Sequence, residues 1–211
     1  MTLVVAVLQA EVSPPLLIKG RRKFHIRTYL VVIEKLGHQD LLDMYIYSQH
    51  EVRIAGTPIP DENEDRNPLA HITNGALSNT TERVLLADVD ELMNRQIQAK
   101  TEVFVAETFG KHLLPDIVRR INISSSDPDA NSSIYKFALA GLDIMVTEDN
   151  HIYLLEVNAN PAAPPESTVD DKFKQHLQGF FHELMDLVVG KPPSPSFLLV
   201  QDILVREGLI G

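Results

Sequence analysis

The chain has 211 residues, an apolar share of 44%, no cysteine and a formal net charge of −10. That length supports one substantial core, and the missing cysteines exclude disulfide frameworks, thiolate nucleophiles and thiolate metal sites. The acidic balance argues against nucleic acid as a partner, because meeting phosphates needs a positive field.

No apolar run reaches the about 18 residues of a membrane span. The apolar start, Met1 to Leu8, lacks the basic segment and small-residue cleavage site of a secretion signal. A cytoplasmic protein without a membrane partner is expected. The charge is uneven: Lys19, Arg21, Arg22, Lys23 and Arg27 form a basic cluster, whereas Asp61-Glu62-Asn63-Glu64-Asp65 is acidic.

In chain order, residues 3–9 read as a buried strand, and Ser13-Pro14-Pro15 breaks the chain before Leu16-Leu17-Ile18. Lys23 to Ile33 is rich in β-branched and aromatic residues and predicts a long strand. Met44 to Tyr47 and Glu51 to Ile54 predict two strands joined by a tight turn. Residues 56–70, with three prolines, predict a surface loop. A helix is expected after Thr80 or Thr81, whose hydroxyls can cap exposed amides.

Residues 98–122 have helical spacing through Val103, Phe104, Phe109, Leu113, Ile117, Val118 and Ile121, with Pro115 kinking or starting a segment. A polar loop covers 124–133. Two strands, 135–147 and 151–157, follow, and the turn residues between them predict an antiparallel hairpin. Residues 169–189 predict an amphipathic helix through Phe173, Leu177, Phe180, Phe181, Leu184, Leu187 and Val188. After Lys191-Pro192-Pro193 the chain reads as a tail, 191–211.

The chemistry concentrates in the hairpin. Glu156 and Asn158, two residues apart on a strand, project from one face. Folding the preceding strand back brings Asp143 toward them. Three oxygen donors without Cys or His suit Mg2+, which takes one or two carboxylates and shares substrate phosphates. A nucleotide is therefore expected. The alternative is a pair of solvated carboxylates on an open sheet face.

Gly20-Arg21-Arg22-Lys23-Phe24-His25-Ile26-Arg27, then Arg53, His71-Ile72-Thr73-Asn74, Gly141-Leu142-Asp143 and Leu155-Glu156-Val157-Asn158-Ala159-Asn160-Pro161 occur in a fixed order. Together these segments resemble the ordered motifs of the tubulin tyrosine ligase-like family over residues 7–190. The resemblance implies an α+β, ATP-grasp-like fold, a mostly antiparallel sheet packed with helices. It assigns residues 1–190 to the C-terminal part of that fold, N-terminally incomplete. It further implies ATP and Mg2+ as cofactors, with a free amino acid and a protein, tubulin by likeness alone, as partners.

By the same resemblance Gln9, Glu11 and Val12 belong to the hinge that meets adenine, and Lys23 and His25 to the ribose and phosphate contacts. Arg27 and Arg53 would face the transferring phosphate and an acidic substrate, and Thr73 and Asn74 would line the site. Read without it, Thr73-Asn74-Gly75 is an ordinary turn, and Arg27 and Arg53 could pair with surface carboxylates. His25 stands where the family usually has Asp, and an imidazole cannot accept a ribose hydroxyl as a carboxylate does. The hinge reads Ala10-Glu11-Val12 where a Lys-Tyr pair is common. The implied function is ATP-dependent carboxylate–amine ligation through an acyl phosphate. Ligation of small molecules, and a truncated, inactive interaction module, remain as alternatives.

Overall fold

The computed structural model describes residues 10–34, 42–60, 67–73, 80–115, 136–159, 161–164 and 169–210. The expected strand 3–9, Gln9, Asn74, the loop 124–133 and the expected helical positions Ile117, Val118 and Ile121 lie outside the described residues.

Alternating apolar and polar positions build a six-stranded sheet in which every pairing is antiparallel. Strand β1 (Phe24–Glu34) is central, between β2 (Leu42–Ile54) and β4 (Phe137–Val146). Strand β5 (Ile152–Ala159) lies outside β4, while β3 (Glu82–Leu85) and β6 (Phe197–Leu199) share the far side of β2.

The period of two divides the side chains between two layers. Ile26, Leu30, Ile46, Val52, Leu142 and Ile144 face one core, filled from helices α1 (Asp90–Asn94), α2 (Ile97–Val105) and α4 (Val200–Arg206). Tyr29, Val31, Ile33, Tyr45 and Tyr47 face the other, where α3 (Asp171–Val188) contributes Phe180, Leu184, Leu187 and Val188. The Tyr29 and Phe180 rings stack with centroids 4.5 Å apart. Such a pair adds about 0.5–1.5 kcal/mol beyond its buried area. Helix α3 covers only one end of this face. The other end carries the polar and charged side chains described below.

Several expectations change. The two strands expected at 44–47 and 51–54 are one strand, β2, which accommodates two extra residues opposite the step from Arg27 to Tyr29. The amide of Ser48 donates to the carbonyl of Ser196 and holds the chain extended where a turn was expected. After Thr81 the chain forms β3, not a helix. Edge pairing with β2 satisfies its backbone, and helix begins at Asp90. Gly56 permits this close approach, since a Cβ there would sit 2.1 Å from Thr80 Oγ1.

Helix α2 passes into a π-helical segment, Ala106–Leu113. The wider turn changes the phase of the apolar stripe, so Phe109 is buried but Leu113 is 43% exposed. Gly110 lies under α4, where a Cβ would come within 2.3 Å of Val200 Cγ1. Residues 191–211 thus supply β6 and α4, and Phe197, Val200, Ile203 and Leu204 are buried. Among the described residues no helix is long and apolar enough to cross a membrane.

Candidate active site

Register brings the polar side chains together. Lys23, just ahead of β1, and His25 and Arg27 within it share the face that continues into Tyr29, and Arg27 stands directly opposite Asp143 of β4. Asp143 in turn faces Glu156 of β5, and Gly141 faces Asn158. A bulge makes this possible. Ile144 pairs with Leu154, but Asp143 pairs with Glu156, so Leu155 is taken up as an extra residue. Strict alternation would have put Glu156 and Asn158 on the apolar face with Ile152 and Leu154.

Asp143 is the centre of the cluster. Arg27 grips it with both arms, Nε donating to Oδ1 at 2.5 Å and NH2 to Oδ2 at 2.9 Å. The approach requires Gly141: a Cβ there would stand 3.0 Å from Arg27 NH1, 3.1 Å from Arg27 Cδ and 2.9 Å from Pro161 Cβ. Burial works to raise the Asp143 carboxyl, but Arg27 and His25 outweigh it and hold the group below the usual carboxylate range. The amide of Asn158 donates to Glu156 Oε1 at 2.9 Å and reaches toward Asp143 Oδ2 at 3.4 Å. The Asn158 amide thus lies between the Asp143 and Glu156 carboxyls.

His25 is buried beside this pair. Its Nδ1 lies 2.7 Å from Thr73 Oγ1, and its Nε2 is directed at Asp143 Oδ1, 3.5 Å away and without a hydrogen-bond partner. Burial, with the charges of Arg53, Arg27 and Arg83 against that of Asp143, lowers its pKa to about 4. The ring is neutral at physiological pH. Lys23 Nζ meets Glu11 Oε1 at 2.6 Å, which ties β1 to the segment expected as the adenine hinge, and Val12 is half-buried beside Glu11. Arg53 stands opposite His25, with NH2 3.4 Å from Glu51 Oε2. Tyr29 OH donates to the other oxygen of Glu51 at 2.8 Å.

The basic cluster read from the sequence is largely neutralised. Lys19 and Arg22 both hold Glu82, at 2.6 and 2.8 Å, while Lys23 and Arg27 have Glu11 and Asp143. Three site residues escaped the sequence reading: Glu51, Tyr29 and Arg83. Arg83 is the direct partner of Arg53 across β2 and β3. Its signal was available in Glu82-Arg83-Val84-Leu85 as strand alternation, but a helix was expected there.

Among the described residues no group of three His, Cys, Asp or Glu side chains is placed to hold a metal ion. The Asp143, Glu156 and Asn158 set has two carboxylates and an amide. Two carboxyls on either side of one amide fit a small hard cation once the Asn158 amide turns its oxygen inward.

An antiparallel sheet with helices on both faces, and a charged cluster on the end that one helix leaves bare, is the ATP-grasp-like α+β arrangement. The chain belongs to the Tubulin-tyrosine ligase family, whose sequence profile matches residues 4–190. It is 27% identical over 173 residues to Tubulin glycylase 3C of Tetrahymena thermophila, covering 79% of this chain and 16% of the relative. It is 25% identical to Tubulin polyglutamylase ttll-11 of Caenorhabditis elegans, covering 95% of this chain and 31% of the relative. Inactive polyglycylase TTLL10 of Homo sapiens is also 25% identical, over 87% of this chain and 27% of its own length. The chain therefore spans a third or less of each of these three relatives.

Proposed function

We propose that this chain carries the metal- and phosphate-facing part of an ATP- and Mg-dependent carboxylate–amine ligase that adds an amino acid to a protein. Tubulin is the proposed acceptor, because tubulin glycylases and polyglutamylases are among its relatives. The observation that carries the reading is the convergence of Asp143, Glu156 and Asn158 beside the buried Arg27.

In the proposed reaction a carboxylate oxygen attacks the ATP γ-phosphorus and ADP leaves. An amine then attacks the acyl phosphate carbonyl, loses its proton, and expels inorganic phosphate. Mg2+ held at Asp143, Glu156 and Asn158 would supply neutralisation of phosphate charge. The remaining work is positioning and electrostatic stabilisation. Arg27, locked by Asp143, presents a fixed positive group beside that site, and Arg53 presents another across from His25. Lys23 and Glu11 would meet the nucleotide with Gln9 and Val12, and Thr73, Asn74 and His25 would line the wall. Neutral His25 contributes a hydrogen-bonding ring without adding charge.

Calorimetry with Mg-ATP on the wild-type chain and on Glu156→Gln tests the reading. Weaker binding by the variant, with an unchanged fold, is expected. Equal affinity removes Glu156 from the metal site. A second reading, an interaction module without turnover, is favoured by the engagement of both Asp143 oxygens by Arg27 and by a relative named inactive. Mg-ATP binding without hydrolysis in the presence of amino acid and tubulin would favour it.

A further inference from the structure

Behind the charged cluster, on the face that α2 covers, the sheet carries a second polar pair. His50 of β2 is 1% exposed, and its Nδ1 lies 3.0 Å from Oγ1 of the fully buried Thr28. Thr28 stands at the irregular step where β2 takes up its two extra residues. The other ring nitrogen, Nε2, has no hydrogen-bond partner and lies 3.8 Å from Glu102 Oε1 of α2. The His50 side chain is wholly buried and that of Glu102 nine-tenths so.

The other polar neighbours of the pair are weak ones. Gln98, one turn earlier on α2, gives Glu102 Oε1 a neutral amide at 3.1 Å. Arg206 of α4 acts on the carboxyl from a distance, but its Nε bonds Glu207 at 3.0 Å. Thr28 offers His50 only a hydroxyl. An ionised carboxylate buried with one neutral donor is costly, and so is a buried imidazole nitrogen without a partner. One proton between them removes both costs. A carboxyl O–H can donate to Nε2, or an imidazolium N–H to the carboxylate, and either state is neutral overall. A shift of about an ångström by the Glu102 side chain brings the pair to hydrogen-bond length. Burial pushes each group the same way, raising the Glu102 carboxyl against Gln98 and Arg206 and lowering the His50 ring to about 4.

We infer that His50 and Glu102 hold one proton between them and form a pH-operated latch that ties α2 to the irregular β1–β2 step behind the candidate active site. Folding at neutral pH takes up that proton, and its loss at higher pH leaves a bare carboxylate facing the ring. Thr28 and His50 are the chain neighbours of Arg27 and Glu51, so the state of the latch reaches the step that carries them. The inference does not rest on the ligase reading.

The test follows the Glu102 13Cδ signal and the His50 ring 15N signals of the full chain by NMR from about pH 5 to about pH 8. Glu102 should titrate above the ordinary carboxylate range, and the amides of Thr28 and His50 should move with the same midpoint. Glu102→Gln, whose amide can donate to Nε2 at any pH, should abolish that shared transition. A folded pKa above the unfolded one gives stability that is present below the ordinary carboxylate range and lost as pH rises through the folded value. In urea unfolding the wild type should therefore lose ground to Glu102→Gln as pH rises across that window. The contributions of His25, Asp143 and His176 are common to both proteins and cancel in the difference. Glu102 ionised throughout the window with the His50 proton fixed on Nε2, amides that do not share the transition, or a stability difference independent of pH would overturn the inference. If the variant does not fold, the wild-type titration decides alone.

Discussion

Replacing Arg27 with Met leaves Asp143 buried without its partner, and the structure sets the size of the effect. The Asp143 side chain is 9% exposed, and Arg27 occupies both of its oxygens at 2.5 and 2.9 Å. The remaining neighbours are poor substitutes: Asn158 Nδ2 is 3.4 Å away, and His25 Nε2, on a neutral ring, is 3.5 Å away. Removing one partner of a buried ion pair costs about 3–5 kcal/mol, and the loss here should be of that order at pH 7. Urea unfolding in EDTA measures it.

The same experiment has a pH signature. In the wild type the folded pKa of Asp143 lies below its unfolded value, so its contribution is present above the ordinary carboxylate range and lost as pH falls through the folded pKa. In Arg27→Met burial dominates and the folded pKa rises, so the carboxyl takes up a proton on folding and the penalty shrinks as pH falls. The difference between the two proteins should therefore narrow from pH 7 toward pH 4. A loss below about 1 kcal/mol, the scale of an exposed pair, or a loss independent of pH, would refute the reasoning.

Gly141→Ala should cost about 1–3 kcal/mol, the scale of overpacking, because its Cβ would meet the rigid Pro161 ring at 2.9 Å as well as Arg27. It should also displace Arg27, so weaker Mg-ATP binding is expected alongside lower stability in urea. Asp170→Ala should cost about 1 kcal/mol through the lost N-cap of α3, where the carboxylate accepts from the Phe173 amide at 2.8 Å. Thermal unfolding should register that change while Mg-ATP affinity stays the same.

The strands β1, β4 and β5 and helix α3 were legible because their apolar periods are long and end at turn or cap residues. The site was legible in part. That Glu156 and Asn158 share a face follows from their spacing, but joining that face to Asp143 depends on the bulge at Leu155. Nothing in Tyr153-Leu154-Leu155-Glu156 announces it, and the even numbering of Ile152, Leu154, Glu156 and Asn158 points the other way. Arg83 was hidden because hydroxyl residues at 80 and 81 signal a helix cap, while pairing with the edge of β2 depends on residues thirty positions away. The π-helical stretch was hidden because a shift from four to five residues per hydrogen bond leaves no mark in composition.

The proposed ligase chemistry requires Asp143, Glu156 and Asn158 to hold the divalent ion together. Replacing Mg2+ with Mn2+ in the presence of ATP and recording paramagnetic broadening of backbone amides tests it without requiring turnover. Broadening should centre on residues 141–143 and 156–158 and reach His25 and Arg27 across β1. Broadening centred elsewhere, for example at the exposed Asp149 and His151 of the hairpin turn, would contradict it.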